Sequence, residues 1–139
     1  MDNLILVDTG PIVALLNRDD EYHEWVLSKL EQVRPPFITC EAVISESAFL
    51  LHRQDPGYRN LFGLISSNLI EIRFDLKTHA SSVAALLDKY RDTPMSFADS
   101  CLVRMSEIHA KSKVFTLDSD FFHYRRNGRQ IIPTIHPSR

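Results

Sequence analysis

The sequence predicts a single α/β domain over residues 1–139, with a largely parallel central sheet flanked by helices on both faces. Short strand-like apolar segments alternate along the chain with segments of helical apolar spacing. The first of them, Ile5-Leu6-Val7, is a continuous aliphatic run, as expected of a strand buried on both faces. A chain of 139 residues also fits one domain that buries roughly two-thirds of its unfolded surface.

Element by element, Gly10-Pro11 ends the first strand, and Pro11 suits the first turn of a helix over "PIVALLN". "EYHEWVLSKLEQV" follows as a helix with Tyr22, Trp25, Val26, Leu30 and Val33 on one stripe, and Pro35-Pro36 stops it. "FIT" is a short strand. "CEAVISESAFLLHRQ" is a helix with Thr39 as its N-cap and Ala42, Val43, Ser47, Phe49 and Leu50 among the packed positions. "DPGYRNLFGLISS" reads as a turn and a helix, "LIEIRF" as an alternating strand, and "LKTHASSVAALLDKY" as a helix. "TPMSFADSCLVRMSEIHAK" is a helix starting near Ser96, "KVFTL" a strand, and "SDFFHY" a short helix capped by Asp118. "QIIPTI" closes the sheet, with Pro133 favouring an edge. There is no internal repeat, low-complexity segment or domain linker.

Hydrophobic residues make up 44% and charged residues 24%, a composition far from the disordered and membrane classes. Met1-Asp2-Asn3-Leu4 lacks a basic leader region and Asp8 breaks the apolar run, which argues against a signal peptide or a spanning helix; a cytoplasmic location is expected. Cys40 and Cys101 form no paired motif and read as small buried hydrophobes. The histidines, His23, His52, His79, His109, His123 and His136, lack the spacing of a zinc site. The net charge of −2, from 16 basic and 18 acidic residues, argues against a broadly basic nucleic-acid coat. Four acids gathered on a metal would leave 14 against 16 bases, so the net charge does not argue against a polyanionic substrate.

Four acids belong at one edge of such a sheet: Asp8 after the first strand, Glu46 within a helix, Asp99 in a first helical turn, and Asp118 after a late strand. Each has an ordinary alternative. Asp8 could bond its own backbone in a turn, Glu46 could be a solvated helix charge, Asp99 could complete a capping box with Ser96, and Asp118 could be an N-cap. Together they raise a sharper requirement, because converging carboxylates in a partly desolvated cleft need a counter-charge. No Lys or Arg adjoins Asp8, Glu46 or Asp99 except Arg104, one turn beyond Asp99. Carboxylates without histidine suit Mg2+ or Mn2+, and such ions serve in-line hydrolysis of phosphodiesters.

The segments "LILVDTGPIVALLNRDDEYH", "ITCEAVISESAFLL", "MSFADSCLVRMSEI" and "VFTLDSDFF" resemble the successive acidic motifs of the PIN-domain family, particularly its VapC-like toxin ribonucleases. The resemblance covers essentially the whole chain and rests on the order and surroundings of the motifs, each weak alone. It implies a single PIN-like domain and a Mg2+- or Mn2+-dependent endoribonuclease in which Asp8, Glu46, Asp99 and Asp118 hold the metal and position the attacking water. Thr9 and Thr116 would orient carboxylates or contact phosphate. Asp120 competes with Asp118 for the fourth place; Asp118 is preferred because it directly follows the strand. An RNA substrate, a cognate antitoxin protein and a homodimer are implied as partners, and the apolar content of "YRNLFGLI" is compatible with the last.

Candidate RNA contacts are Arg125, Arg126 and Arg129 in "HYRRNGRQ", against the alternative of a solvated Asn-Gly turn; Arg53 and Arg104 are further candidates. "DTG" also marks aspartic proteases, but those need an all-β chain with a glycine-rich flap, and this chain has helices and four glycines. A phosphoaspartate receiver or phosphatase-like module would want a lysine after a later strand, which "FTLDSD" lacks. A PIN-like scaffold without activity, binding RNA or a protein, is the remaining alternative.

Overall fold

A computed structural model describes residues 3–54 and 57–139. The order of elements is β1 Leu4–Val7, α1 Thr9–Leu16, α2 His23–Leu30, β2 Phe37–Thr39, α3 Glu41–Leu51, α4 Gly57–Ser66, β3 Ile70–Ile72, α5 Leu76–Lys89, α6 Phe97–Ile108 and β4 Ser112–Phe115. A 3-10 turn at Ser119–Phe122, the short strands β5 Arg125–Arg126 and β6 Gln130–Ile131, and β7 Thr134–Ile135 complete the chain. The expected alternation of strands and helices is therefore present, and the Asp55-Pro56 start of the fourth helical segment lies outside the described residues, as does Met1-Asp2.

The main sheet has the order β3-β2-β1-β4-β7 and every pairing in it is parallel. Side chains alternate across a strand, so the register assigns them to faces. Val7, Phe37, Ile70 and Phe115 share one face and line, with Ile12 of α1, Val26 of α2 and Leu64 of α4, a common apolar space. Leu6, Ile38 and Val114 point the other way and are fully buried as well, and α6 packs against β1 and β4. Both faces are covered, which explains why Ile5-Leu6-Val7 could be apolar without alternation. β7 lies at an edge, with Pro133 just before it, as the sequence indicates.

Several local expectations need correction. The second helix spans His23–Leu30, so Tyr22 and Val33 fall outside it; only Val26 of the proposed stripe is buried. Thr39 is not the N-cap of α3: it ends β2 and its hydroxyl donates to the Val7 carbonyl at 2.8 Å, while Cys40 takes the cap position. The buried face of α3 is Val43, Ile44, Ser47 and Leu51, so Phe49 and Leu50, 71% and 50% exposed, point outward. "QII" is not part of the main sheet; Gln130 and Ile131 pair antiparallel with Arg126 and Arg125. The Asn-Gly turn between those strands holds, with positive φ at Asn127 (51°) and Gly128 (84°).

Candidate active site

β1 and β4 are neighbours at the centre of the sheet, and the chain leaves β1 towards β2 on one side while β4 lies on the other. The carboxyl ends of strands at such a reversal open a crevice. Asp8 directly follows β1 and Thr116 directly follows β4, so both stand at that crevice. Gly10 belongs to the same structure: a Cβ there would come within 3.1 Å of the Leu117 side chain, a tight contact, so the first turn of α1 packs closely against the segment after β4.

Asp8 is buried, and both its oxygens are bonded. Oδ1 accepts from the Thr9 backbone N–H at 2.8 Å, and Oδ2 accepts from the Thr116 hydroxyl at 2.7 Å. The Thr116 hydroxyl in turn accepts from the Asp118 backbone N–H at 2.9 Å, so one side chain orients the first acid and the loop bearing the last. Burial pushes the Asp8 carboxyl up to about 7, against those hydrogen bonds, and the neighbouring charges of Asp99 and Asp118 push it the same way. Asp8 is also the N-cap of α1, so the turn reading and the site reading describe one residue.

Asp99 lies in the first turn of α6. Ser96 is the N-cap, its hydroxyl accepting from the Asp99 backbone N–H at 3.0 Å. The Asp99 carboxylate accepts from the hydroxyl of Tyr124 at 2.9 Å. Burial raises this carboxyl to about 6, with Asp118 and Asp120 adding repulsion. Asp118 caps the 3-10 turn, accepting from the Asp120 backbone N–H at 2.9 Å. One carboxylate oxygen each from Asp99, Asp118 and Asp120 lies within 4.8 Å of the others. Asp120 thus joins the group, and Asp118 and Asp120 both stand beside Asp99.

Glu46 is exposed on α3 and is not a member of that three-acid group. Thr9 is buried and its hydroxyl has no hydrogen-bond partner among the described residues. The arginines after the 3-10 turn are engaged with the backbone. Arg125 donates through Nη1 to the Phe122 carbonyl at 2.8 Å, and Arg126 donates to the carbonyls of Ser106 and Ala110 at 3.1 and 3.0 Å, closing the end of α6. Arg129 is exposed in the turn and Arg53 is exposed just past α3, whereas Arg104 is tied to Glu107 at 3.1 Å and to His79 at 3.2 Å. Tyr124 is the site residue that sequence reasoning missed: it sits in an aromatic run, and nothing local reveals that its hydroxyl crosses to α6.

A parallel α/β sheet with carboxylates gathered at its central carboxyl edge places them where ligands bind in open α/β sheets. The chain belongs to the PIN domain family, whose model matches residues 5–127. In fold it is similar to VapC20 of Mycobacterium tuberculosis, described as a toxin that cleaves the sarcin-ricin loop, at 20% identity and a TM-score of 0.73 over 84% of this chain and 91% of that one. No curated protein sequence matches it. Among the described residues, no helix is long and apolar enough to cross a membrane.

Proposed function

We propose that the protein is a divalent-metal-dependent endoribonuclease, the toxin of a toxin-antitoxin pair acting in the cytoplasm. The observation that carries this reading is the gathering of Asp99, Asp118 and Asp120 beside buried Asp8, at the carboxyl edge of a PIN domain. Three features fit a hard cation there. The donor set is oxygen only. The carboxyls of Asp8 and Asp99 are raised first by burial and then by nearby carboxylates (Asp99 and Asp118 for Asp8, Asp118 and Asp120 for Asp99), the state that a cation relieves. The buried Thr9 hydroxyl, next to Asp8, has no partner among the described residues.

Asp8, Asp99 and Asp118 would hold Mg2+ or Mn2+, with Asp120 as the alternative to Asp118 and Glu46 contributing from α3 through water, since Mg2+ retains several waters. Bound there, the ion supplies water activation and stabilisation of the departing oxygen. The residues do the rest. The Thr9 N–H and Thr116 hydroxyl hold Asp8 in one orientation, and Asp118 and Asp120 form the solvent-facing side that a phosphodiester would approach. Arg129 is the arginine of the hairpin best placed to meet RNA, being exposed, whereas Arg125 and Arg126 spend their guanidinium groups on helix and turn carbonyls. Phe49 and Leu50 of α3 and Tyr58 and Phe62 of α4 are exposed on two helices that pack together, apolar surface that supports a homodimer or an antitoxin contact.

Incubation of mixed RNA with the protein tests the function. Cleavage is expected with Mg2+ or Mn2+, abolished by chelator and restored by excess metal. Cleavage that is indifferent to chelator contradicts the metal mechanism, and a folded protein that binds RNA without cutting it indicates the inactive scaffold.

A further inference from the structure

We propose that Tyr124 is a positioning residue for the metal site: its phenol fixes the Asp99 carboxylate and sets the spacing between α6 and the segment that carries Asp118 and Asp120. This rests on the proposed metal site and names a residue that sets its affinity. Tyr124 is fully buried and its hydroxyl donates to Asp99 Oδ2 at 2.9 Å. A phenol has one proton to give, and a buried one must spend it on a partner. Spending it on a carboxylate makes a charge-assisted bond with a defined direction.

The ring is packed on two sides. Tyr90 and Phe121 meet it edge to face, with centroids 5.1 and 5.2 Å away and interplanar angles of 68° and 87°. Its backbone N–H donates to the Asp120 carbonyl at 3.1 Å, so the residue that holds Asp99 is itself bonded to one of the acids beside Asp99. Arg125 secures the same stretch, its Nη1 donating to the carbonyls of Phe122 and Tyr124 at 2.8 and 3.1 Å. Two separate elements deliver the three gathered carboxylates, and the Tyr124 hydroxyl is a side-chain bond that ties one to the other. Partners that hold a ligating carboxylate in place tune metal affinity, and losing one typically costs about 10–100-fold.

Tyr124→Phe removes one oxygen and keeps the ring. Binding of Mn2+, read from the loss of the free-ion electron paramagnetic resonance signal, is expected to weaken by about 10–100-fold in that variant. Tyr90→Phe is the control: it keeps the same aromatic cluster and loses a hydroxyl that accepts from the Arg125 backbone N–H at 2.8 Å and not one that reaches Asp99. It is expected to bind Mn2+ as the wild type does. In an Asp99→Asn background, Tyr124→Phe should add no further loss. Wild-type affinity in Tyr124→Phe overturns the role of Tyr124 alone, and so do an equal loss in Tyr90→Phe or a full additional loss in the Asp99→Asn background. No Mn2+ binding by the folded wild type overturns both this role and the metal site on which it rests.

Discussion

Asp8→Asn is expected to lower metal-dependent RNA cleavage by orders of magnitude while leaving the fold intact. Asn keeps the shape of the side chain, but its single oxygen can accept from the Thr116 hydroxyl or from the Thr9 N–H and not from both, so the charge is lost together with one hydrogen bond. That charge is the most deeply buried of the acids at this edge, and it is held between the Thr9 N–H and the Thr116 hydroxyl at 2.8 and 2.7 Å. A neutral amide there cannot balance a divalent cation, and both positioning of the ion and activation of water suffer. The measurement is single-turnover cleavage of an RNA substrate at saturating Mg2+ or Mn2+, with circular dichroism as the check on folding. Undiminished cleavage by a folded Asp8→Asn protein removes Asp8 from the mechanism.

The same substitution should change stability in the opposite direction. The Asp8 carboxyl ordinarily titrates at 3.8 and is raised to about 7 in the folded protein, so the folded state holds this proton where the unfolded state has released it. Stability from this group is therefore fully present below about pH 4 and lost as pH rises to about 7. The shift corresponds to a penalty on the order of 4 kcal/mol in the metal-free protein at pH 8. Asp99, raised to about 6, acts in the same direction over a narrower window. In chelator, Asp8→Asn should be more stable than the wild type at pH 8, with the difference shrinking towards pH 4. Urea unfolding across that range checks it, and parallel curves for the two proteins contradict a strained buried carboxylate at position 8.

Much of the site was legible because strand ends and helix caps carry strong local signals. A carboxylate directly after a buried aliphatic run, followed by Gly-Pro, fixes Asp8 at a strand's carboxyl end, and Ser96 with Asp99 three residues on marks the start of α6. What was illegible depends on contacts distant in sequence. Thr39 looks like a cap, yet the neighbouring strand offers its hydroxyl the Val7 carbonyl. The helix containing Phe49 and Leu50 is apolar nearly all round, so spacing alone could not choose its buried face, and packing chose Val43, Ile44, Ser47 and Leu51. Arg125 and Arg126 look like a basic patch by sequence; only the fold reveals the carbonyls that occupy them. Tyr124 and Asp99 are brought together only when the chain returns to α6 from the far side of β4, and Asp120 joins Asp118 because the turn after β4 is a tight 3-10 one that keeps both at the same edge.

On the proposed function, the acids at the carboxyl edge of β1 and β4 form one cation site. The most direct measurement is the melting temperature of wild type, Asp8→Asn and Asp99→Asn as Mg2+ or Mn2+ is titrated at constant ionic strength, which holds screening fixed. A ligand that binds only the folded state stabilises it by about 2.7 kcal/mol at a hundredfold excess over its Kd, so the wild type should show a saturable rise. Both variants should show a smaller one, because each loses a carboxylate that the ion would neutralise. An identical rise in all three proteins would place the metal elsewhere and contradict the convergence of Asp8, Asp99 and Asp118 on one ion.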